Sequence, residues 1–312
     1  MGQYLITGGA GFIGSSLARA LIARGDRVRI IDNFSSGRRE NIADLPAAQL
    51  IEGDILDAAD LQRAMEGAEV VFHEAAIPSV PKSMAEPLEN HEANATGTLR
   101  VLAEARRAGV RRLVYAASSA AYGDDPTLPK LETMTTAPIS PYGASKLAGE
   151  HYCRVYAVAY GFETVCLRYF NVFGPRQDPA SEYAAVIPKF ITMALAGQQP
   201  RIFGDGTQSR DFCFIDNVIE ANFKAASAPA ADASGRVFNV GCGTTVDLTQ
   251  VVALIGDLLG KKLQARHEPE RAGDIKHSYA DIGAAKRALG YTAAVSFVEG
   301  LRRTIEWYKT RV

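Results

Sequence analysis

Tyr4-Leu5-Ile6-Thr7-Gly8-Gly9-Ala10-Gly11-Phe12-Ile13-Gly14 opens the chain, and the fold turns on how this stretch is read. Tyr4 to Thr7 is a short apolar run suited to a buried strand. Glycines follow, then Ile13, Leu17, Leu21 and Ile22 at helical spacing, with Gly25 as the stop. Val28-Arg29-Ile30-Ile31 reads as a second strand, closed by Asp32. Strand, glycine turn, helix, strand and acid in this order form a dinucleotide-binding fingerprint.

Each part of the fingerprint has a physical task. Gly8 permits the tight turn, Gly11 lets backbone approach a pyrophosphate, and Gly14 lets the helix pack close to the strand. The helix start at Phe12 and Ile13 offers free N–H groups and partial positive charge to phosphates. Asp32 can accept from an adenosine ribose and repels a 2′-phosphate, so NAD is the cofactor expected rather than NADP.

With 312 residues, the chain can form one large domain or two unequal ones. Hydrophobic residues make up 47% and charged residues 22%, ordinary values for a globular protein. A net charge of −1 gives no electrostatic case for nucleic-acid or membrane partners. Cys153, Cys166, Cys213 and Cys242 are widely spaced, so no metal site is expected. They read as reduced, mostly buried thiols of a cytoplasmic protein. The apolar start is broken by glycines too early for a signal peptide, and no run reaches the length of a spanning helix.

The alternation of strand and helix continues. Leu50-Ile51-Glu52 is a weak strand leading into Gly53-Asp54-Ile55. Asp54 can meet an adenine amino group or cap a helix, and the sequence does not choose. Val70 to His73 is a buried strand opening into Glu74-Ala75-Ala76, where small residues allow a cofactor to come close. A helix is predicted from about Glu92 to Arg107, with Leu99, Leu102 and Ala103 on one face. Leu113 to Ala117 is the next strand, and Ser118 and Ser119 lie at its carboxyl end, the edge where open parallel sheets bind ligands. Ser140-Pro141 starts a helix that reaches about Tyr160, and Thr164 to Tyr169 is another strand.

The fold class expected is therefore α/β, a Rossmann-type doubly wound parallel sheet. Residues 1–171 form the cofactor domain, with 213–241 returning to it through Val237 to Val240. Residues 172–212 and 242–312, including helices at Leu248 to Leu259 and Phe297 to Tyr308, form a smaller substrate lobe.

Tyr142 and Lys146 are four residues apart on one helix and share a face. A free tyrosine, with a pKa of about 10, is a poor base at neutral pH. Positive charge from Lys146 and from an oxidised nicotinamide would stabilise the phenolate. Ser118 can hydrogen-bond the same substrate hydroxyl, and Ser119 can share or take over that role.

These features give the chain a strong resemblance to the extended short-chain dehydrogenase/reductases, and within them to the UDP-hexose 4-epimerases. The matching pieces are Thr7 to Gly14, Asp32-Asn33, Ser140-Pro141-Tyr142-Gly143-Ala144-Ser145-Lys146 and Arg168-Tyr169-Phe170-Asn171. Ala185-Val186-Ile187-Pro188, Ser209-Arg210-Asp211-Phe212 and Arg271-Ala272-Gly273-Asp274 extend the match over nearly the whole chain. The resemblance implies catalysis by Ser118, Tyr142 and Lys146. It implies cofactor contacts at Asn33, Asp54, Ile55, Ala75, Ala76, Asn94 and Tyr169. Asn171, Arg210 and Arg271 would hold the UDP phosphates, and Asp274 the uridine ribose. Ala185, Val186 and Ile187 would line the uracil. Ser79, Ser119 and Gln208 complete the substrate set, and a homodimer is implied. Tyr152, Val155, Tyr156 and Val158 would supply its apolar contact, although core packing explains them equally well.

In that family the residue beside the hexose 2-substituent is bulky in enzymes of plain sugars and small in those of N-acetylated ones. Here Ser278 takes that place, followed at once by Tyr279. With the run Val172 to Pro179, this resembles most the UDP-N-acetylglucosamine 4-epimerase group. The implied reaction interconverts UDP-GlcNAc and UDP-GalNAc, and also UDP-Glc and UDP-Gal, through a transient 4-keto sugar. Alternatives are an epimerase restricted to plain sugars, a UDP-glucuronate epimerase or decarboxylase, and a non-catalytic NAD-sensing protein. Ser118 to Tyr122 lacks the acid that resembling 4,6-dehydratases carry, which argues against dehydration. Glu74 stands where many relatives have an apolar residue or glutamine.

Overall fold

The computed structural model describes residues 2–179, 186–270 and 276–311. Ala185, Arg271 and Asp274 lie outside them.

The opening stretch folds as β1 (Gln3–Thr7), a glycine turn, α1 (Phe12–Ala23) and β2 (Arg27–Asp32). β3 (Ala48–Glu52) forms one edge of the sheet, and α2 (Ala58–Met65) leads to β4 (Val70–His73). β5 (Arg112–Ser118) and β6 (Glu163–Tyr169) follow. The seven strands lie in the order Arg236–Val240, β6, β5, β4, β1, β2, β3, all parallel. The strand order reverses between β1 and β4, which opens the crevice where doubly wound sheets bind ligands.

Side chains alternate between two cores, as a sheet buried on both faces requires. Ile6, Ile30, Phe72 and Val114 pack with Leu17 and Leu21 of α1 and with Val218 of the Ile215–Ser227 helix. Leu5, Ile31, Val71 and Leu113 face the other way, against Leu61 and Met65 of α2 and Cys153 of the Pro141–Tyr160 helix. Each fully buried Leu or Phe contributes roughly 1.5–3 kcal/mol by leaving water. The first core runs on without a break into the lobe, through Phe173, Phe190, Phe212, Phe214 and Ile255.

The helix predicted from Glu92 is the later part of a longer run. It starts with Pro87–His91, passes through a π-helical turn at Glu92–Thr96, and continues as Gly97–Arg107. Its buried face is Thr98, Val101, Leu102 and Ala105, while Ala103 is exposed and Leu99 half-buried. A polar residue takes the core position because its hydroxyl is satisfied twice. Thr98 Oγ1 donates to the Asn94 carbonyl at 2.5 Å and lies 2.9 Å from His73 Nε2.

In the lobe, Asn171–Phe173 pairs in parallel with Phe212–Phe214. Ser209–Arg210 pairs with Val246–Asp247 and with His277–Ser278.

Candidate active site

The glycine turn is shaped as its sequence requires. Gly8 has φ +68°, and a Cβ there would stand 2.7 Å from the backbone of Ala75. A Cβ on Gly14 would stand 2.3 Å from the Gly8 carbonyl oxygen, so this glycine lets the helix sit on the turn. Gly11 is the N-cap of α1 and no side chain caps it. The N–H groups of the first turn, at Phe12 and Ile13, are therefore left uncapped by any side chain, as a phosphate-binding helix start requires.

Gly8, Asp32, Asn33, Asp54, Ile55, Ala75 and Ala76 line one continuous cleft. Asp32 accepts from the Ala10 and Phe34 N–H groups, each at 2.8 Å, and burial lifts its carboxyl above the usual carboxylate range. Asp54 is not a helix cap: Asp57 caps α2, whereas Asp54 accepts from Leu56 N–H and from the Asn33 amide at 2.9 Å. It thus ties together two residues of the cleft wall. The donor set fits a dinucleotide: a glycine turn, an uncapped helix start and acids at the ribose side of the crevice.

Ser118 ends β5, where its hydroxyl accepts from Ala120 N–H at 3.2 Å. Tyr142 and Lys146 come from the Pro141–Tyr160 helix, whose Ser140 cap accepts from Gly143 N–H at 3.1 Å. Ser83, which nothing in the sequence singled out, is fully buried and accepts from Tyr142 N–H at 3.1 Å. Asn90, Asn94 and Ser145 bond to one another in the interior. Asn94 also grips both backbone groups of Ile77. This network pins the helix carrying Tyr142 to the loop after β4, with the Asn94 polar atoms directed into it.

The Tyr142 phenol is raised by burial, pulled down by a hydrogen bond from Ser118, and raised again by Glu74. The Lys146 ammonium donates to the Ala116 carbonyl at 2.8 Å, and burial brings it down to about 8. The Lys146 ammonium is thus fixed at the sheet edge one turn from Tyr142, and Glu74 opposes ionisation of the phenol. His73, held between Thr7 at 2.7 Å and Thr98, is lowered to about 3 and stays neutral.

Asn171, Val186, Ile187, Gln208 and Arg210 line a second cleft in the lobe, of about 540 Å³, within the range of small-molecule sites. Lys189, Phe190, Met193 and Phe203 also line it, although the sequence reading stopped at Pro188. Residues 186, 189, 190 and 193 share the i, i+3, i+4, i+7 spacing that could have revealed them. Ser278 pairs with Arg210 in a parallel ladder, so the two stand on one face. Ser79 caps the Val80–Ala85 helix by accepting from Lys82 N–H at 3.1 Å, outside both clefts. Tyr169 donates to Glu74 at 2.8 Å and accepts from Asn222 at 2.7 Å. Ser119, half-buried, begins the short helix after β5.

A Rossmann sheet with a glycine-turn cleft, and with Ser118, Tyr142 and Lys146 at its carboxyl edge, defines an enzyme built around a nucleotide cofactor. The NAD dependent epimerase/dehydratase family model matches residues 4–241. The chain is 38% identical to a UDP-glucose 4-epimerase of Mycolicibacterium smegmatis, over 98% of each chain. It is similar to the structure of a UDP-N-acetylglucosamine 4-epimerase from Methanobrevibacter ruminantium in complex with UDP-N-acetylmuramic acid. That match has 39% identity and a TM-score of 0.94, covering 100% of this chain and 99% of that one. A UDP-glucuronic acid 4-epimerase from Bacillus cereus, in complex with UDP-glucuronic acid and NAD, matches at 32% identity and a TM-score of 0.91. That match covers 99% of this chain and 100% of the other. The chain belongs to the NAD dependent epimerase/dehydratase family.

Proposed function

We infer that this protein is an NAD-dependent UDP-hexose 4-epimerase whose preferred pair is UDP-GlcNAc and UDP-GalNAc, with UDP-Glc and UDP-Gal also accepted. The observation that carries the chemistry is the placement of Ser118 at the carboxyl end of β5 beside the helix that presents Tyr142 and, one turn along, Lys146, whose ammonium is bonded to the Ala116 carbonyl of that same strand. Tyr142 takes the O4 proton of the sugar while Ser118 donates to that oxygen. Lys146 holds positive charge beneath the phenol, anchored on the Ala116 carbonyl. NAD, when bound, supplies the hydride acceptor and donor.

Asn171, Arg210 and Arg271 hold the diphosphate, Asp274 accepts from the uridine ribose, and Gln208 lines the same cleft. Ala185, Val186 and Ile187 lie along the base. With the nucleotide clamped there, the 4-keto sugar turns over and is returned as the opposite epimer. The sheet with residues 1–171 and 213–241 serves the cofactor, and residues 172–212 and 242–312 serve the sugar nucleotide.

The relatives bind or act on plain, acetylated and acidic sugars at similar identities, so the sugar is argued from Ser278. A serine on the face of Arg210 leaves room for an acetamido group. Ser278→Tyr lowers kcat/KM for UDP-GlcNAc at least tenfold and leaves UDP-Glc within about threefold, since filling a pocket is worth about 10–200-fold. Steady-state assays on both substrates check this, and equal losses on the two would reject the gate.

The chain works as a cytoplasmic homodimer. Tyr152, Val155 and Val158 on the catalytic helix are 37%, 49% and 78% exposed, while Tyr156 packs on the core. An apolar helix face left bare in the monomer supports an isologous contact. Sedimentation equilibrium gives a dimer mass, and Val158→Arg shifts it towards the monomer.

A further inference from the structure

Glu74 is a carboxylate in the wall of the cofactor cleft that the reaction above leaves unused. It follows β4 immediately, on the face of Phe72. Ala116 on β5 and Tyr169 on β6 share that face. Because residue 116 carries only a methyl group, the Tyr169 phenol reaches across β5 and donates to Glu74 Oε1 at 2.8 Å. Asn222 donates in turn to Tyr169 Oη at 2.7 Å. The carboxylate is thus clamped in one position from the far side of the sheet.

Its charged surroundings are few. Lys146 and Tyr142 face it from the catalytic helix, Tyr169 from β6, and neutral His73 precedes it on β4. Among the described residues, Glu74 is the one carboxylate that acts on Tyr142. Burial raises its carboxyl to about 7 against the Tyr169 hydrogen bond and the Lys146 charge, both of which lower it.

We propose that Glu74 is a fixed anion at the hydride end of the cofactor cleft that favours the cationic, oxidised nicotinamide over the neutral, reduced form. This rests on the epimerase reading and deepens it. An epimerase must give its hydride back at every turn, and a negative charge beside the ring opposes any lasting reduction. The preference is Coulombic, so it follows the charge of residue 74 rather than its hydrogen bond.

The test uses the NAD-loaded protein at pH 8, where Glu74 is mostly ionised. Dimethylamine–borane is the hydride donor, and the growth of reduced-nicotinamide absorbance is followed. Glu74→Gln keeps the shape and the acceptor for Tyr169 but removes the charge. Its bound cofactor is reduced about tenfold faster than in the wild type. Glu74→Asp keeps the charge and stays within about threefold of wild type. Wild-type reduction in Glu74→Gln, or equal acceleration in both variants, overturns the proposal. A wild-type protein that takes up no NAD would instead overturn the epimerase reading itself.

Discussion

Tyr142→Phe lowers kcat for C4 epimerisation by about 10²–10⁴-fold while the Kd for UDP-sugar changes by less than about threefold. A positioned general base is worth this much, and the phenol oxygen is the atom that takes the O4 proton. The ring stays, so packing against the Ser83-anchored first turn is kept. The diphosphate and base contacts in the lobe cleft are untouched, which is why binding survives. Turnover and calorimetric titration with UDP-GlcNAc separate the two quantities. Near-normal turnover would assign the proton to another group, with Ser118 as the next candidate. In the wild type the phenol is held above its ordinary value by burial and by Glu74. The rate therefore rises with pH through neutrality, as the phenol ionises.

Glu150→Leu lowers unfolding free energy by about 3–5 kcal/mol, because it strands a buried guanidinium. Arg168 Nε and Nη2 donate to the two Glu150 oxygens at 2.8 and 2.7 Å, and both side chains are at most 5% exposed. The guanidinium also stacks over Tyr122, with its carbon 4.6 Å from the ring centre. Removing the carboxylate leaves the cation with no counter-charge beside the catalytic helix. The double variant Glu150→Leu/Arg168→Met loses much less, since an apolar pair of similar volume replaces a pair whose desolvation cost nearly matched its attraction. Urea denaturation of the three proteins measures the difference. Equal losses in single and double variants would show that packing, rather than the unpaired charge, sets the cost.

The strands were legible because a parallel sheet buried on both faces leaves continuous apolar runs, as at Val70 to His73. The Ser140-Pro141 cap and the β1–Gly8–α1 unit were legible because local backbone chemistry dictates them. Local pattern could not reveal where a long-range partner satisfies a polar group. Thr98 occupies a core position because His73, from another strand, meets its hydroxyl. Of the two roles open for Asp54, the helix cap falls to Asp57, which is nearer the start of α2, and Asp54 bonds Asn33. Asn94 serves the Ile77 loop, a contact formed across 17 positions of chain.

From the sequence by itself came the Rossmann order, the NAD-type acid at Asp32 and the Ser118, Tyr142, Lys146 set, all of which depend on spacing within one or two elements. Only the tertiary structure decided what each charge faces. It directed Lys146 to the Ala116 carbonyl, Tyr169 to Glu74 and Ser278 to the face of Arg210. Electrostatic environment is a property of neighbours in space, and neighbours brought together across a seven-stranded sheet leave no periodic trace in the chain.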